Sequence, residues 1–204
     1  MRVRIIAAAL LAAATMGFAA PVFAAEAGDW QIRARAIGVI PDESANLTGL
    51  TGSIEIEDDW EPEVDFTYFL NNNWSVELIA ATTRHEVMAT AGVDLGTVWL
   101  LPPTLLLQYR FDTTANWQPY IGAGINYTVF YNEETPGNFK IDYDDSLGFA
   151  LQTGVDIMID EHWLLNVDVK KLWLSTDVSV MSGAVTAEVD INPWIFGVGF
   201  GYRF

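Results

Sequence analysis

The stretch that decides the fold closes the chain: Trp194-Ile195-Phe196-Gly197-Val198-Gly199-Phe200-Gly201-Tyr202-Arg203-Phe204. Every second residue from Trp194 to Phe204 is large and apolar, and the residues between them are mostly glycine. A period of two places the large side chains on one face of a β-strand and the small or polar ones on the other. A strand with large apolar side chains on one face and small or polar ones on the other suits a transmembrane β-barrel, whose apolar face contacts lipid.

The N-terminus has the pattern of an export signal. Arg2 and Arg4 precede a short apolar stretch, and Val22-Phe23-Ala24 offers a small-residue cleavage site. We therefore predict that residues 1–24 are a signal peptide that is removed after export. Residues 25–204 then form a single domain, which is consistent with their length.

The composition narrows the possible functions. The 204 residues include 27 acidic and 10 basic side chains, and this negative balance argues against a nucleic-acid partner. There is no cysteine, so a disulfide, a thiol nucleophile and a thiolate metal site are excluded, and we predict no metal and no cofactor. Half of the residues are hydrophobic and eight are tryptophan, yet the predicted mature chain has no apolar run that could span a bilayer as a helix. An exported barrel reconciles these facts.

Alternation recurs along the whole mature chain. We count eight alternating segments, at residues 30–40, 60–70, 74–84, 101–111, 119–130, 147–159, 163–174 and 194–204. Their connections are short at 71–73, 112–117 and 160–162, and long at 41–59, 85–98, 131–146 and 177–190. The prediction is an all-β protein, an eight-stranded antiparallel transmembrane β-barrel with short periplasmic turns and longer extracellular loops. A soluble β-sandwich has the same alternation and stays the alternative, but the export signal, the aromatic content and the terminal Phe favour the barrel.

Aromatic residues cluster near the ends of these segments, as expected of the two girdles at the membrane interfaces. The predicted periplasmic girdle is Trp30, Trp74, Trp117, Trp163, Tyr202 and Phe204. The predicted outer girdle is Trp60, Trp99, Phe130, Tyr131, Trp173 and Trp194.

Three stretches resemble one known family. Leu101–Phe111, Pro119–Phe130, and Ile191–Trp194 running into Gly199–Phe204 are similar to the fourth strand, fifth strand and C-terminus of the outer membrane protein W family. The resemblance implies a small outer-membrane barrel of Gram-negative bacteria, with a narrow and partly hydrophobic lumen, in a family implicated in uptake of small hydrophobic molecules. Some members have an aromatic constriction on the seventh strand, where this chain has Lys170, so that feature is not carried over.

The resemblance also bears on assembly. Gly199, Tyr202 and Phe204 fit the C-terminal signal that the barrel-assembly machinery reads, although Gly197 replaces the polar residue that is usual two positions earlier. The partners we expect are the lipid bilayer, lipopolysaccharide, periplasmic chaperones, the assembly machinery and a small hydrophobic solute.

The inward-facing residues divide by depth. Buried charges persist only when they are paired, so we predict a polar plug in the periplasmic half and middle of the barrel. Its charged members are Arg33, Arg35, Glu63, Asp65, Glu77, Arg110, Asp156, Asp168 and Lys170, and Gln108, Asn166 and Arg203 accompany them. Nearer the outside the inward residues are apolar, and they form a candidate ligand-binding mouth of Ile37, Val39, Ile79, Leu106, Leu172 and Ile195.

This division predicts that an apolar solute enters at the mouth and leaves sideways through the barrel wall into the membrane. Eight strands enclose room for side chains or one small ligand, so ordinary packing of the mouth is the alternative. A structural or receptor-type surface barrel without transport also fits the sequence. We do not expect an enzyme, because His85 and His162 are the only histidines, His162 lies in a predicted periplasmic turn, and no Gly-x-Ser-x-Gly motif is present.

Two of the predicted outer loops are acidic. The residues concerned are Glu55, Glu57, Asp58 and Asp59 in one loop and Glu133, Glu134, Asp142, Asp144 and Asp145 in the other. Carboxylates suit divalent cations, but the Asp-x-Asp-x-Asp-Gly spacing of calcium loops is absent, which favours solvated loops.

Overall fold

Most of the described part of the chain is β-structure. The computed structural model describes residues 25–204 except 43, 49–53, 57–58, 82, 90–92, 114, 135–140 and 181–184, and the predicted signal peptide, 1–24, lies outside the described residues. The strands are β1 (Trp30–Ile40), β2 (Ser44–Thr48), β3 (Ile54–Ile56), β4 (Asp59–Phe69), β5 (Trp74–Ala81), β6 (Thr83–Ala89), β7 (Val93–Leu101), β8 (Thr104–Arg110), β9 (Trp117–Glu134), β10 (Ile141–Tyr143), β11 (Ser146–Met158), β12 (Trp163–Trp173), β13 (Ser175–Val180), β14 (Val185–Asp190) and β15 (Trp194–Arg203). Among the described residues, no helix has the length and apolarity that a membrane crossing needs.

Eight of these strands close into an antiparallel barrel. They are β1, β4, β5, β8, β9, β11, β12 and β15, and each pairs with the next one in chain order. The last strand returns to the first, with a ladder that runs from Gln31↔Arg203 to Ile40↔Trp194. Closure gives every barrel strand a neighbouring strand on both sides, so none of the eight is an edge strand within the membrane. The predicted eight-stranded barrel is therefore confirmed.

The strands alternate between a buried inner face and an exposed outer face. Along β1 the alternation is unbroken from Trp30 to Val39. The outer face presents large apolar side chains, among them Leu147 at 72% and Phe149 at 70% exposure, and lipid is the medium that such a face requires. At the periplasmic end, ring centroids lie 4.9 Å apart in the pair Trp30–Tyr68 and 5.0 Å apart in the pair Trp163–Tyr202, so this girdle forms a contacting belt.

The four long connections differ from their prediction as loops. Much of their length is strand: β2 and β3 follow β1, the β6–β7 hairpin follows β5, β10 follows β9, and the β13–β14 hairpin follows β12. Beyond the membrane the outer face of a strand no longer meets lipid, so the contrast between a lipid-facing side and an inward side does not mark the strand in the sequence. The predicted segment 101–111 is also divided, because Pro102 and Pro103 separate β7 from β8.

Candidate functional site in the barrel interior

The inner face of the barrel changes from polar to apolar at one level. On β1 the inward residues are Gln31, Arg33 and Arg35, followed by Ile37 and Val39. On β12 the polar residues from Asn166 to Lys170 are followed by Leu172. The polar part lies toward the short periplasmic turns and the apolar part toward the long extracellular extensions.

We call the polar part the polar layer. It contains all nine charged residues predicted for the plug, together with Arg203, so five cations face five carboxylates among the described residues. Each of these ten side chains is at most 4% exposed. Its members are Gln31, Arg33, Arg35, Glu63, Asp65, Thr67, Ser75, Glu77, Gln108, Arg110, Tyr120, Gln152, Asp156, Asn166, Asp168, Lys170 and Arg203.

Arg33 is one of two cations at the centre of the polar layer. Its Nε lies 2.9 Å from Oδ1 of Asp65, and its Nη1 lies 3.2 Å from Oδ1 of Asp156 on the opposite wall. Its Nη2 pairs with Glu77 and also donates to the hydroxyl of Thr67 at 3.1 Å. Since a guanidinium presents donors in a rigid planar fork, one side chain holds β1, β4, β5 and β11 together.

Arg35 is the second central cation, and it contacts four carboxylates. The distances are 2.8 Å from Nε to Glu63, 2.7 Å and 2.9 Å from Nη2 to Asp65 and Glu77, and 2.9 Å from Nη1 to Asp168. Every carboxylate in this group also contacts another cation, so the layer is a network and not a set of isolated pairs. Paired in this way, charges can be kept in an interior without water.

The two ends of the polar layer differ. At its extracellular end, the Lys170 ammonium lies 2.6 Å from Glu63 and 3.2 Å from Asp168. At its periplasmic end, the guanidinium groups of Arg110 and Arg203 lie over the buried ring of Phe69, at 4.8 Å and 4.9 Å from its centroid. Side chains therefore fill the lumen through this whole layer.

The glycines of β15 make room for the polar layer. Asp168 Oδ1, which accepts no hydrogen bond among the described residues, occupies the space where a side chain on Gly197 would be. Arg33 Cγ fills the corresponding space over Gly201. Glycine is needed at position 199 for a different reason, since a side chain there would collide with the carbonyl oxygen of Ala34 on the neighbouring strand.

Above the polar layer lies a cluster that we call the apolar layer. Its buried members are Ile37, Val39, Ile79, Leu106, Ala150, Leu172, Leu174 and Ile195, and Ile191 packs against them. All six residues predicted for the mouth belong to it, and none is more than 8% exposed. In this structure the side chains of the layer pack against one another, so a solute can enter only if they move apart.

The sequence prediction missed a third group, on the β8–β9–β11 wall nearer the outside. Thr104, Asn126, Thr128 and Ser146 are buried there. Asn126 donates to the Thr104 hydroxyl at 2.8 Å and accepts from the Thr128 hydroxyl at 2.7 Å. The expectation that the inward face is wholly apolar at this height is therefore wrong on this wall. Alternation counted from the inward Tyr120 identifies Asn126 and Thr128 as inward residues, and that signal was present in the sequence.

The barrel wall has a break beside the apolar layer. The β5–β8 ladder ends at the pair Ile79↔Thr104, and the β6–β7 ladder begins at Thr83↔Leu100. Pro102 and Pro103 lie between these ladders and have no N–H to donate. Their carbonyl oxygens accept from β9: Tyr127 N donates to Pro103 at 3.0 Å, and Asn126 Nδ2 donates to Pro102 at 3.3 Å. The proline segment is thus bonded to β9, and the described residues give it no ladder to β5.

Some predicted features fall outside what the structure describes. The side chain of His85 and those of the acidic loop residues Glu55 to Asp59, Glu133, Glu134 and Asp142 are among them. His162 lies in the turn between β11 and β12, where its ring stacks on Tyr202 with centroids 5.3 Å apart.

The comparison with protein families agrees with this architecture. Residues 26–204 match the model of the OmpW family. The chain belongs to the OmpW family. The family resemblance seen in the sequence is thereby confirmed. The location in the outer membrane is confirmed as well, since several relatives, y4mB and outer membrane protein W among them, are outer-membrane proteins by name. The family match does not indicate a family of enzymes.

Individual relatives cover most of the chain. The uncharacterized outer-membrane protein y4mB of Sinorhizobium fredii is 42% identical over 201 residues, which are 95% of this chain and 86% of that protein. Outer membrane protein W of Escherichia coli is 37% identical over 89% of this chain and 91% of its own length. The dibenzothiophene metabolism operon protein PahQ of Pseudomonas aeruginosa is 31% identical over 88% and 90%.

A solved structure of another outer-membrane protein has the same fold. The crystal structure of the outer membrane protein OprG from Pseudomonas aeruginosa superposes with a TM-score of 0.83 at 33% identity. The match covers 90% of this chain and 99% of that one.

Proposed function

We propose that this barrel lets small hydrophobic molecules pass from the outside into the outer membrane. The solute enters from the extracellular side, reaches the apolar layer, and leaves sideways through the wall beside Pro102 and Pro103. The observation that carries this proposal is that the apolar layer adjoins the break in the wall. Ile79 and Leu106, which belong to that layer, lie on the two strands that the break separates.

The polar layer argues against a straight route to the periplasm. A solute on that route has to separate Lys170 from Glu63 and Arg35 from its carboxylates, all of them buried. Separation of a buried ion pair costs about 3 to 5 kcal/mol, and an apolar solute offers the released charges no replacement partner. The sideways route breaks no ion pair of the layer.

The wall beside the prolines is suited to opening. Ala80 and Ala81, at the end of β5, are small, and Pro102 and Pro103 offer β5 no backbone donor. Separation of β5 from β8 at this height therefore sacrifices few ladder hydrogen bonds. A gap there connects the apolar layer to the acyl chains of the lipid, and both are environments that an apolar solute prefers to water.

The name of one relative supports the class of solute. PahQ is described as a dibenzothiophene metabolism operon protein, and dibenzothiophene is a flat, apolar, sulfur-containing aromatic molecule. For this chain we propose the wider class of small apolar molecules without a net charge.

The test is uptake of dibenzothiophene into liposomes that contain the folded protein. Leu172→Asp and Ile195→Asp place a carboxylate in the apolar layer, and each should abolish protein-dependent uptake. Replacement of Pro102 and Pro103 by threonine supplies the missing N–H groups, and uptake should fall about tenfold as the wall closes.

Pro119→Thr is the matched control, since Pro119 lies on β9 at the periplasmic end, far from the break. It should leave uptake unchanged. If the folded Leu172→Asp and Ile195→Asp proteins transport as well as the unaltered chain does, the barrel is structural or receptor-like and the proposal is wrong.

A further inference from the structure

The extracellular extension of the barrel is divided into two half-sheets. The first half-sheet has the order β10-β13-β14-β2 and continues the wall made by β11, β12, β15 and β1. The second half-sheet consists of the upper part of β9 with β7, β6 and β3, and it continues the other four barrel strands. Within each half-sheet the pairing is antiparallel.

Two seams separate the half-sheets. At the first seam, the β1–β4 ladder ends at Val39↔Asp59, and β2 and β3 above it have no ladder with each other in the described part of the chain. At the second seam, the β9–β11 ladder ends at Thr128↔Ser146 below β10. Four barrel strands lie between the seams on either side, so the seams face opposite directions.

The seams expose the edges of strands. β2 pairs with β14 from Ser44↔Asp190 to Thr48↔Thr186, and it is the terminal strand of the first half-sheet. Among the described residues, the other edge of β2 has no sheet partner, and an unpaired edge is the arrangement that accepts an added strand. Five residues are enough to pair with a short extended peptide.

Negative charge is concentrated where the seams lie. Residues 41–59, around the first seam, include six acidic residues and no lysine or arginine. Residues 131–145, around the second seam, include five acidic residues and one lysine. The stretches 85–98 and 175–190, which form the hairpins within the half-sheets, include two and three acidic residues. The acidic residues are thus concentrated in the two connections that join one half-sheet to the other, and not in the stretches that lie within a half-sheet.

We propose that the free edge of β2 binds an extended, basic peptide segment of a protein that reaches the cell surface, and that this segment adds to the first half-sheet as a further strand. The backbone edge supplies hydrogen bonds, and the acidic stretch selects a basic partner. A second copy of this chain is disfavoured at the same edge, since both copies are acidic there and like charges across an interface repel. This inference is independent of the proposed passage of hydrophobic molecules.

The binding test uses the full folded chain in nanodiscs of neutral phosphatidylcholine. The probe is a fluorescein-labelled ten-residue peptide of alternating lysine and valine, and its binding is followed by fluorescence anisotropy at low salt. A second peptide has the same side chains but N-methyl groups on four consecutive central residues, which remove donors from both of its edges. It should bind about tenfold more weakly or worse. A third peptide, with glutamate for lysine, should not bind.

Variants of the chain locate the site. Adjacent residues of a strand direct their N–H groups to opposite sides, so one of Ala45→Pro and Asn46→Pro removes a donor from the free edge and should lose binding. Glu55→Gln with Asp59→Asn should weaken binding about threefold, since two charges are lost from β3 and β4, the strands that border the first seam. Glu86→Gln with Asp94→Asn removes the same number of charges from the 85–98 hairpin and should leave binding unchanged.

Four results would overturn the inference. They are equal binding of the methylated and unmethylated peptides, equal loss of binding in the two charge variants, absence of binding by the basic peptide at low salt, and a dimer of the chain held by the β2 edge in sedimentation experiments. The peptide comparison needs no altered protein, so it decides the matter even if a proline variant fails to fold.

Discussion

Loss of a charge from the polar layer should cost stability according to how many partners the remaining charges keep. Asp156 is the position at which we expect the largest loss of stability. Its carboxylate accepts from Gln31 at 3.0 Å and from Asn166 at 2.7 Å, and it pairs with Arg33 and, at 2.6 Å, with Arg110. In the part of the chain that the structure describes, Asp156 is the only carboxylate that pairs with Arg110. Asp156→Asn therefore leaves a buried guanidinium without a counter-charge.

Arg35 is the useful comparison, because its removal leaves none of its carboxylate partners without another cation. Glu63 and Asp168 keep their contacts with Lys170, and each carboxylate next to Arg33 keeps that partner. Removal of one partner from a buried pair costs about 3 to 5 kcal/mol. We expect Arg35→Gln at the lower end, about 3 kcal/mol, and Asp156→Asn at the upper end, about 5 kcal/mol.

The assay is urea-induced unfolding of the barrel in phosphatidylcholine vesicles, followed by the fluorescence of its eight tryptophans. Asp42→Asn serves as the control, because Asp42 is 72% exposed and pairs with Lys171 at 3.2 Å on the surface. Its loss should change the free energy of unfolding by less than about 1 kcal/mol. If Asp156→Asn costs no more than Arg35→Gln does, the number of remaining partners does not govern stability and the reasoning is refuted.

Three further predictions concern the backbone. Gly199→Ala brings a methyl group against a carbonyl oxygen of β1, so the yield of the compact, heat-modifiable form on cold SDS gels should fall, whereas Gly38→Ala, whose nearest neighbour atom would be 3.5 Å away, should fold normally. Backbone N–H groups of the β11–β12 turn donate to the Asp160 carboxylate and lower its pKa in the folded protein. The stability that this carboxylate contributes is therefore complete above the pKa that Asp160 has in the unfolded chain, and it is lost as the pH falls through the lower pKa of the folded state. An NMR titration of the carboxyl group checks the direction of the shift. Asn192 has φ +36°, and its Oδ1 accepts a hydrogen bond from Leu174 N at 3.1 Å. Asn192→Val strains the backbone and loses this bond, so it should destabilise the barrel by about 2 to 4 kcal/mol, whereas Asn192→Gly loses only the bond and should cost about 1 kcal/mol, as measured by urea unfolding.

The barrel strands could be predicted from the sequence because lipid and interior make opposite demands on alternate residues. Between Trp194 and Phe204 this contrast is large at every position, and the structure has a strand there that closes the barrel against β1. The contrast disappears beyond the membrane, and the seven strands outside the barrel wall were missed for that reason. Division of the extension into half-sheets depends on where ladders end, and the alternation of one strand carries no information about that.

The depth of the interior residues could be predicted as well, but their partners could not. Strand direction places Arg33 in the periplasmic half of the barrel, and the structure places it there. Its contact with Asp156 spans 123 residues and crosses the lumen. Such a contact depends on the stagger of the strands around the barrel, which is a property of the closed ring. The neutral group around Asn126 was missed for a simpler reason, since depth was inferred from charged and apolar residues only.

The two layers also set how the proposed passage responds to substitution. A solute that crosses the polar layer has to separate at least two ion pairs, at a cost of about 6 to 10 kcal/mol, which slows passage by roughly four to seven orders of magnitude. The wall beside Pro102 and Pro103 requires the loss of a few ladder hydrogen bonds, at about 1 kcal/mol each. Uptake per folded barrel should therefore be unchanged in Arg35→Gln, although that substitution weakens the polar layer. An increase of uptake in this variant would mean that the solute takes the straight route through the lumen.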